Sequence, residues 1–105
     1  MVGLKLADSL TENGQPHEAW QVLGEVEIIL RDYVELDAFD VHLARLWKYR
    51  AFAARALNEN KIALECARKS LDYWMKIPDS DFEEKQMRDL IKKIEDEEKL
   101  GGEVT

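Results

Sequence analysis

Few side chains in this sequence have the type and spacing that site chemistry requires. His17 and His42 lie far apart, and neither has a carboxylate or thiol at metal-ligand spacing, so both are expected to be surface histidines. Cys66 is the single cysteine and is expected to be a buried, unreactive thiol. The sequence contains no H-E-x-x-H, paired-cysteine or glycine-rich phosphate motif. We therefore expect no metal, no cofactor and no enzymatic activity.

A group of carboxylates follows Pro78. Negative charge at the start of a helix is favoured by the helix dipole, so these side chains are expected to mark a helix N-terminus, with metal binding as the alternative. Ser80 and Glu83 have the spacing of a capping box, which places the start of that helix. The group consists of Asp79, Asp81, Glu83 and Glu84.

Charge is unevenly distributed along the 105 residues, whose net charge is −7. Residues 1–43 carry two basic and nine acidic side chains, residues 44–78 eight basic and three acidic, and residues 79–105 five basic and ten acidic. Overall acidity opposes nonspecific attraction to nucleic acid or to anionic membranes, although binding of nucleic acid by the basic stretch 45–69 remains an alternative. No apolar run reaches the roughly 18–20 residues that cross a bilayer. With a single cysteine, the sequence predicts a soluble, cytoplasmic protein.

Apolar residues recur at helical spacing, and no convincing stretch alternates with a period of two. This pattern predicts an all-α fold. Gly14 and Asn58 suit turns because both residue types tolerate the left-handed backbone conformation. The predicted first helix ends at Asn13 and Gly14, and the second spans about 16–33. The third begins at Asp37 and ends near Leu57, and Pro78 stops the fourth. The fifth spans about 80–100 and is followed by a flexible tail, 101–105.

Two stretches of the sequence repeat each other at an offset of 44 residues. Ala7 then corresponds to Ala51, and Ala19 corresponds to Ala63. Two antiparallel helices approach closely where small side chains meet, so these alanines are expected at helix crossings. The residues expected to pack within and between the repeats are Ala7, Leu10, Gly14, Ala19, Trp47, Ala51, Ala63 and Ala67.

This pattern resembles the tetratricopeptide repeat, a helix-turn-helix unit of about 34 residues. The present offset is about ten residues longer and is similar to that of elongated members of the family, while Arg50 and Asn58 stand where the family pattern has leucine and glycine. The resemblance implies a right-handed superhelix of antiparallel helices in one domain, 1–100. Its parts would be repeat 1 (about 3–35), repeat 2 (about 37–78) and a capping helix (about 80–100). The residues that carry the resemblance are Leu6, Ala7, Leu10, Gly14 and Ala19 in the first copy and Trp47, Ala51, Ala54, Asn58 and Ala63 in the second.

The first helix of each repeat lines a concave groove in this family, and the groove binds a peptide or a partner protein. The resemblance therefore implies an adaptor whose partner-binding residues are Arg45, Lys48, Tyr49, Phe52, Arg55, Arg88 and Lys92. Cations and aromatic rings on one helical side suit an acidic or carboxylate-ended peptide, with Tyr49, Phe52 and Arg45 expected to contribute most. Asp8 would repel a terminal carboxylate, so the carboxylate clamp of chaperone-binding members is not expected. Alternatively, this face is simply solvated and its aromatics only pack.

Two repeats and a cap are few, because such arrays generally need about three units. The alternative function is therefore a self-associating structural module, or a fragment of a longer array, with no groove ligand. Four apolar side chains lie near the outward side of the second helices. They are expected to pack in the core, with a homo-oligomer surface as the alternative, and they are Trp20, Tyr73, Trp74 and Met75.

Overall fold

The computed structural model describes residues 2–32 and 39–104, and every regular element in these ranges is an α-helix. The all-α prediction is therefore confirmed. Within the same ranges, none of the helices combines the length and the apolar character needed to cross a membrane. The helices are α1 (Val2–Glu12), α2 (Pro16–Asp32), α3 (Phe39–Ala56), α4 (Asn60–Met75) and α5 (Asp81–Val104).

Helix boundaries differ from the sequence prediction at the end of α5. The helix reaches Val104, whereas the end predicted from the sequence is near residue 100. Gly101 and Gly102 lower helix propensity without removing a backbone donor, and no proline interrupts the helix. The predicted start of the third helix at Asp37 lies outside the described residues.

A turn with glycine in the left-handed conformation joins α1 to α2. Gly14 has a φ of +79°, which costs glycine nothing because it has no Cβ. The Gln15 N–H donates to the Leu10 carbonyl at 2.7 Å, and the Gly14 N–H donates to the Thr11 carbonyl at 3.2 Å. These two bonds satisfy carbonyl groups at the end of α1 in the manner of a Schellman motif.

The same turn recurs between α3 and α4. Asn58 has a φ of +62°, the Glu59 N–H donates to the Ala54 carbonyl at 2.9 Å, and the Asn58 N–H donates to the Arg55 carbonyl at 3.0 Å. Each of these atoms lies 44 residues after its counterpart in the first turn. The sequence repeat is therefore also a repeat of backbone hydrogen bonds.

The five helices pack in chain order. α1 and α2 form one helical hairpin, α3 and α4 form a second, and α5 packs on α4. α1 also packs against α3, which brings the first helices of the two hairpins together. The Trp20 ring is half-buried and packs against all three clusters of core residues. α2, which carries Trp20, therefore lies at the junction of the two hairpins.

Small residues lie where the helices meet. Ala7 and Ala19 are completely buried in the cluster between α1, α2 and α3, and Ala51 and Ala63 are completely buried in the clusters between α3, α4 and α5. A Cβ added at Gly3 would lie 2.6 Å from Cγ2 of Val26, so α1 and α2 approach too closely there for a side chain. Ala67 is also completely buried, Leu10 and Trp47 are half-buried against the core, and Gly14 is exposed in its turn.

Ser80 does not form the predicted capping box. Its hydroxyl, which is buried, is directed to the carbonyls of Trp74, at 2.6 Å, and Ile77, at 2.7 Å. Asp79 adopts a φ of +58°, and this turn brings Ser80 back beneath the last turn of α4, where the Trp74 carbonyl also accepts from the Ile77 N–H at 3.0 Å. Ser80 therefore closes α4 with its side chain, and its own carbonyl accepts from the Glu84 N–H at 2.9 Å to begin α5.

Candidate functional site

A cleft of about 380 Å³ opens between α1, α3 and α5. We call it the α1–α3–α5 cleft. Two aromatic rings and one lysine come from α3, one amide side chain comes from α5, and α1 supplies a polar wall that includes two carboxylates. The lining residues are Asp8, Thr11, Glu12, Lys48, Tyr49, Phe52 and Gln86.

Three of the seven predicted partner-binding residues line this cleft: Lys48, Tyr49 and Phe52. Arg55 instead forms an ion pair, with its Nη2 atom 2.7 Å from Oε1 of Glu97, and this pair ties α3 to α5. The remaining three are exposed side chains that are not among the lining residues, and they are Arg45, Arg88 and Lys92.

The polar wall on α1 was not among the partner-binding residues predicted from the sequence. The 44-residue offset contains the signal that would have identified it, because it relates Phe52 to Asp8 and Arg55 to Thr11. The groove positions were predicted only for the second copy and α5, and Asp8 was predicted only to repel a terminal carboxylate. Glu12 follows Asp8 by one helical turn and therefore lies on the same side of α1.

Burial and neighbouring charge act in opposite directions on Lys48. Partial burial lowers the pKa of its ammonium, since a low dielectric disfavours charge, while the carboxylate of Glu83 raises it. The Nζ atom lies 5.4 Å from the centroid of the Tyr49 ring, within the range of a cation–π contact. Burial also raises the pKa of the Tyr49 hydroxyl, and Asp8 adds to this shift. The Tyr49 phenol in the cleft is therefore neutral at neutral pH.

A second cleft, of about 280 Å³, lies between α3 and α4 and is lined by Trp47, Lys69, Asp72, Tyr73 and Lys76. We call it the Trp47 cleft. Lys69 Nζ lies 4.4 Å from the centroid of the Trp47 ring, and Lys76 Nζ lies 5.6 Å from that of Tyr73. Both ammonium groups are thus already in contact with aromatic rings, and Asp72 adds an opposing charge.

Arg50, which departs from the family pattern, joins the two hairpins. Its Nη1 atom donates to both carboxylate oxygens of Glu27, at 3.1 and 3.2 Å, and its guanidinium carbon lies 5.4 Å from the Trp20 ring centroid and 4.8 Å from that of Trp47. A planar guanidinium suits such a site because it stacks on rings while it donates in its plane. In the sequence, Arg50 is visible only as a departure from the family pattern, and its partner Glu27 was not predicted.

The remaining candidate groups are Cys66, the two histidines and the carboxylates that follow Pro78. Cys66 is buried as predicted, and burial raises the pKa of its thiol to about 11. His17 is exposed, while His42 is half-buried and burial lowers its pKa. In the part of the chain that the structure describes, no three potential ligands come together as a metal site, and this includes the carboxylates after Pro78.

The four apolar side chains predicted near the outward side of the second helices differ in burial. Trp74 is almost completely buried and belongs to the core, which agrees with the packing role expected for it. Trp20 and Tyr73 are half-buried and pack against core clusters. Met75 is 56% exposed and is therefore the member of this set that is available to a partner.

Comparison with known proteins identified no relative. No family model matches the sequence, and neither a curated protein nor a solved structure matches the chain.

Proposed function

We propose that this chain is a tetratricopeptide-repeat-like adaptor that binds a segment of another protein in the α1–α3–α5 cleft. The observation that carries the proposal is the cleft itself, in which the rings of Tyr49 and Phe52 lie beside charged side chains. Aromatic side chains supply a large contact area at low cost in conformational entropy, so they dominate the energy of many protein interfaces.

Three features support a superhelix of the tetratricopeptide kind. The two hairpins repeat with the same turn hydrogen bonds at an offset of 44 residues. Alanines are completely buried at the helix crossings. α1 packs against α3, so the first helices of the hairpins are neighbours, as a groove lined by first helices requires. The buried, unpaired Cys66 fits a reducing compartment, and the proposed location is the cytoplasm.

A second candidate function is self-association through the first hairpin. Three large apolar side chains of this hairpin are exposed: Leu6 by 49%, Ile28 by 61% and Ile29 by 45%. Leu6 corresponds to Arg50 at the 44-residue offset, and Arg50 contacts α2 of the preceding hairpin. Leu6 therefore lies where a further hairpin, or a second copy, would pack. Sedimentation at several protein concentrations separates the candidates, because a cleft-only adaptor stays monomeric.

Nucleic-acid binding by the basic stretch 45–69 is the weaker alternative. Three arginines in this stretch lie in ion pairs with glutamates, and a paired guanidinium is less available to phosphate: Arg50, Arg55 and Arg68.

Selection from a library of random peptides tests the adaptor proposal. Peptides displayed on phage are selected on the immobilised full chain, and the dissociation constants of the enriched peptides are measured by fluorescence anisotropy. We expect Tyr49→Ala and Phe52→Ala each to weaken binding by about tenfold or more, the effect of losing one aromatic anchor. Tyr73→Ala removes a comparable ring from the Trp47 cleft and is expected to leave the dissociation constant unchanged.

Both rings also pack against the core, so a further variant tests the cleft without removing either of them. Thr11→Arg places a long side chain across the cleft from α1 and is expected to abolish binding, while circular dichroism shows unchanged helical content. Equal affinities for the wild type and for all three cleft variants would rule out this site, as would a selection that enriches no peptide.

A further inference from the structure

The α1–α3–α5 cleft carries an excess of negative charge. Asp8 and Glu12 place two carboxylates on its α1 wall, and neither takes part in an ion pair with any residue that the structure describes. Lys48 is the one cation among the described lining residues. Since two carboxylates face one ammonium, the lining has one negative charge in excess, and an acidic segment would meet net repulsion there.

The α1 wall also offers a neutral hydrogen-bond acceptor. The Thr11 hydroxyl donates to the Ala7 carbonyl at 3.0 Å, so its remaining capacity is as an acceptor. The cleft is therefore suited to a ligand rich in N–H groups.

Lys48 shows that a cation is accommodated in this environment. Its ammonium lies over the Tyr49 ring, and although burial lowers its pKa, the nearby Glu83 and Asp8 carboxylates oppose that shift. The faces of aromatic rings attract cations electrostatically, and Phe52 adds a second ring to the same lining. Rings and carboxylates together form the chemistry that recognises lysine and arginine side chains.

We propose that the partner segment is basic, with a lysine or arginine side chain that lies against Tyr49 and Phe52 and directs its charged group to Asp8 and Glu12. This inference rests on the proposed function, because it names the chemistry of the segment bound in the same cleft. It assigns the opposite charge to that expected from the sequence, where the cations of α3 and α5 were considered without the α1 wall.

The charge of the peptides selected by the wild-type chain is the first readout. We expect enrichment of lysine and arginine over their frequencies in the starting library. The second readout is the affinity of the best peptide for the Asp8→Asn/Glu12→Gln double variant, which is expected to fall about tenfold, the loss typical of two partly exposed charge pairs. Glu25→Gln/Glu65→Gln removes the same charge from exposed positions on α2 and α4 and is expected to leave affinity unchanged.

The Lys48→Met variant shows whether the bound peptide is basic or acidic at this site. A basic peptide is expected to bind this variant at least as tightly as the wild type, because a like charge has been removed from the Tyr49 ring. Enriched peptides that are acidic and that lose affinity for Lys48→Met would overturn the basic-segment proposal and leave the cleft as the binding site. Peptides that bind the wild type and the Asp8→Asn/Glu12→Gln variant equally would also overturn it. Peptides that bind independently of Tyr49, Phe52 and Thr11 would overturn the proposed function itself.

Discussion

Leu46→Ala is expected to lower the free energy of unfolding by about 2–5 kcal/mol, the range for removing a leucine from a close-packed core. Leu46 is completely buried and belongs to the cluster that joins α3 to both helices of the first hairpin. Chains of this size are stable by only about 5–15 kcal/mol, so this loss is a large fraction of the total. Urea unfolding followed by circular dichroism at 222 nm measures the change.

Leu6→Ala is the matched control for this prediction. The substitution is chemically identical, but Leu6 is 49% exposed on α1, and we expect a loss of about 0.5 kcal/mol. Similar losses for the two variants would contradict the packing of α3 on the first hairpin.

Ala63→Leu is expected to lower the free energy of unfolding by about 1–3 kcal/mol although it adds apolar surface, because the site has no room for a larger side chain. Ala63 is completely buried and clusters with Ala54 of α3 and Ile94 of α5. Additional methyl groups there must push α4 away from a neighbour.

Ala56→Leu provides the comparison, since Ala56 is exposed on α3 and leucine is nearly as good a helix former as alanine. We expect its free energy of unfolding to stay within about 0.5 kcal/mol of the wild-type value. If Ala63→Leu were as stable as Ala56→Leu in the same urea titration, the alanines would not mark the helix crossings.

Much of the fold follows from local signals in the sequence. Helical spacing of apolar residues predicted five helices, and the structure describes five in the ranges 2–32 and 39–104. Gly14 and Asn58 were predicted as turn residues, and both have positive φ. The 44-residue offset predicted which alanines would be buried, because a repeated packing position requires the same small volume each time.

Contacts between helices that are distant in sequence were harder to predict. Arg50 lies between two tryptophans and binds Glu27, an arrangement that depends on how α3 crosses α2. The role of Ser80 was also missed, because its hydroxyl reaches back to α4 only after the turn at Asp79 has been formed. Side-chain partners of this kind depend on tertiary geometry, and residue spacing within one helix does not encode them.

The candidate site also combines residues that could be predicted from local spacing with contacts that depend on tertiary geometry. The α3 residues Lys48, Tyr49 and Phe52 were predicted from register and line the cleft. Arg55 was predicted as a partner-binding residue from the same register, but the position of α5 brings Glu97 within 2.7 Å of it. The sign of charge in the cleft depends on the α1 wall, which lies in the cleft because α1 packs beside α3.

Mapping of amide chemical shifts in the ¹⁵N-labelled chain, on titration with a peptide selected by the wild type, tests the central claim most directly. The predicted result is a set of perturbed amides on α1 near Asp8 and Glu12, on α3 near Lys48 and Phe52, and on α5 near Gln86. Perturbations confined to α2 and α4, or centred on the Trp47 cleft, would contradict binding in the α1–α3–α5 cleft.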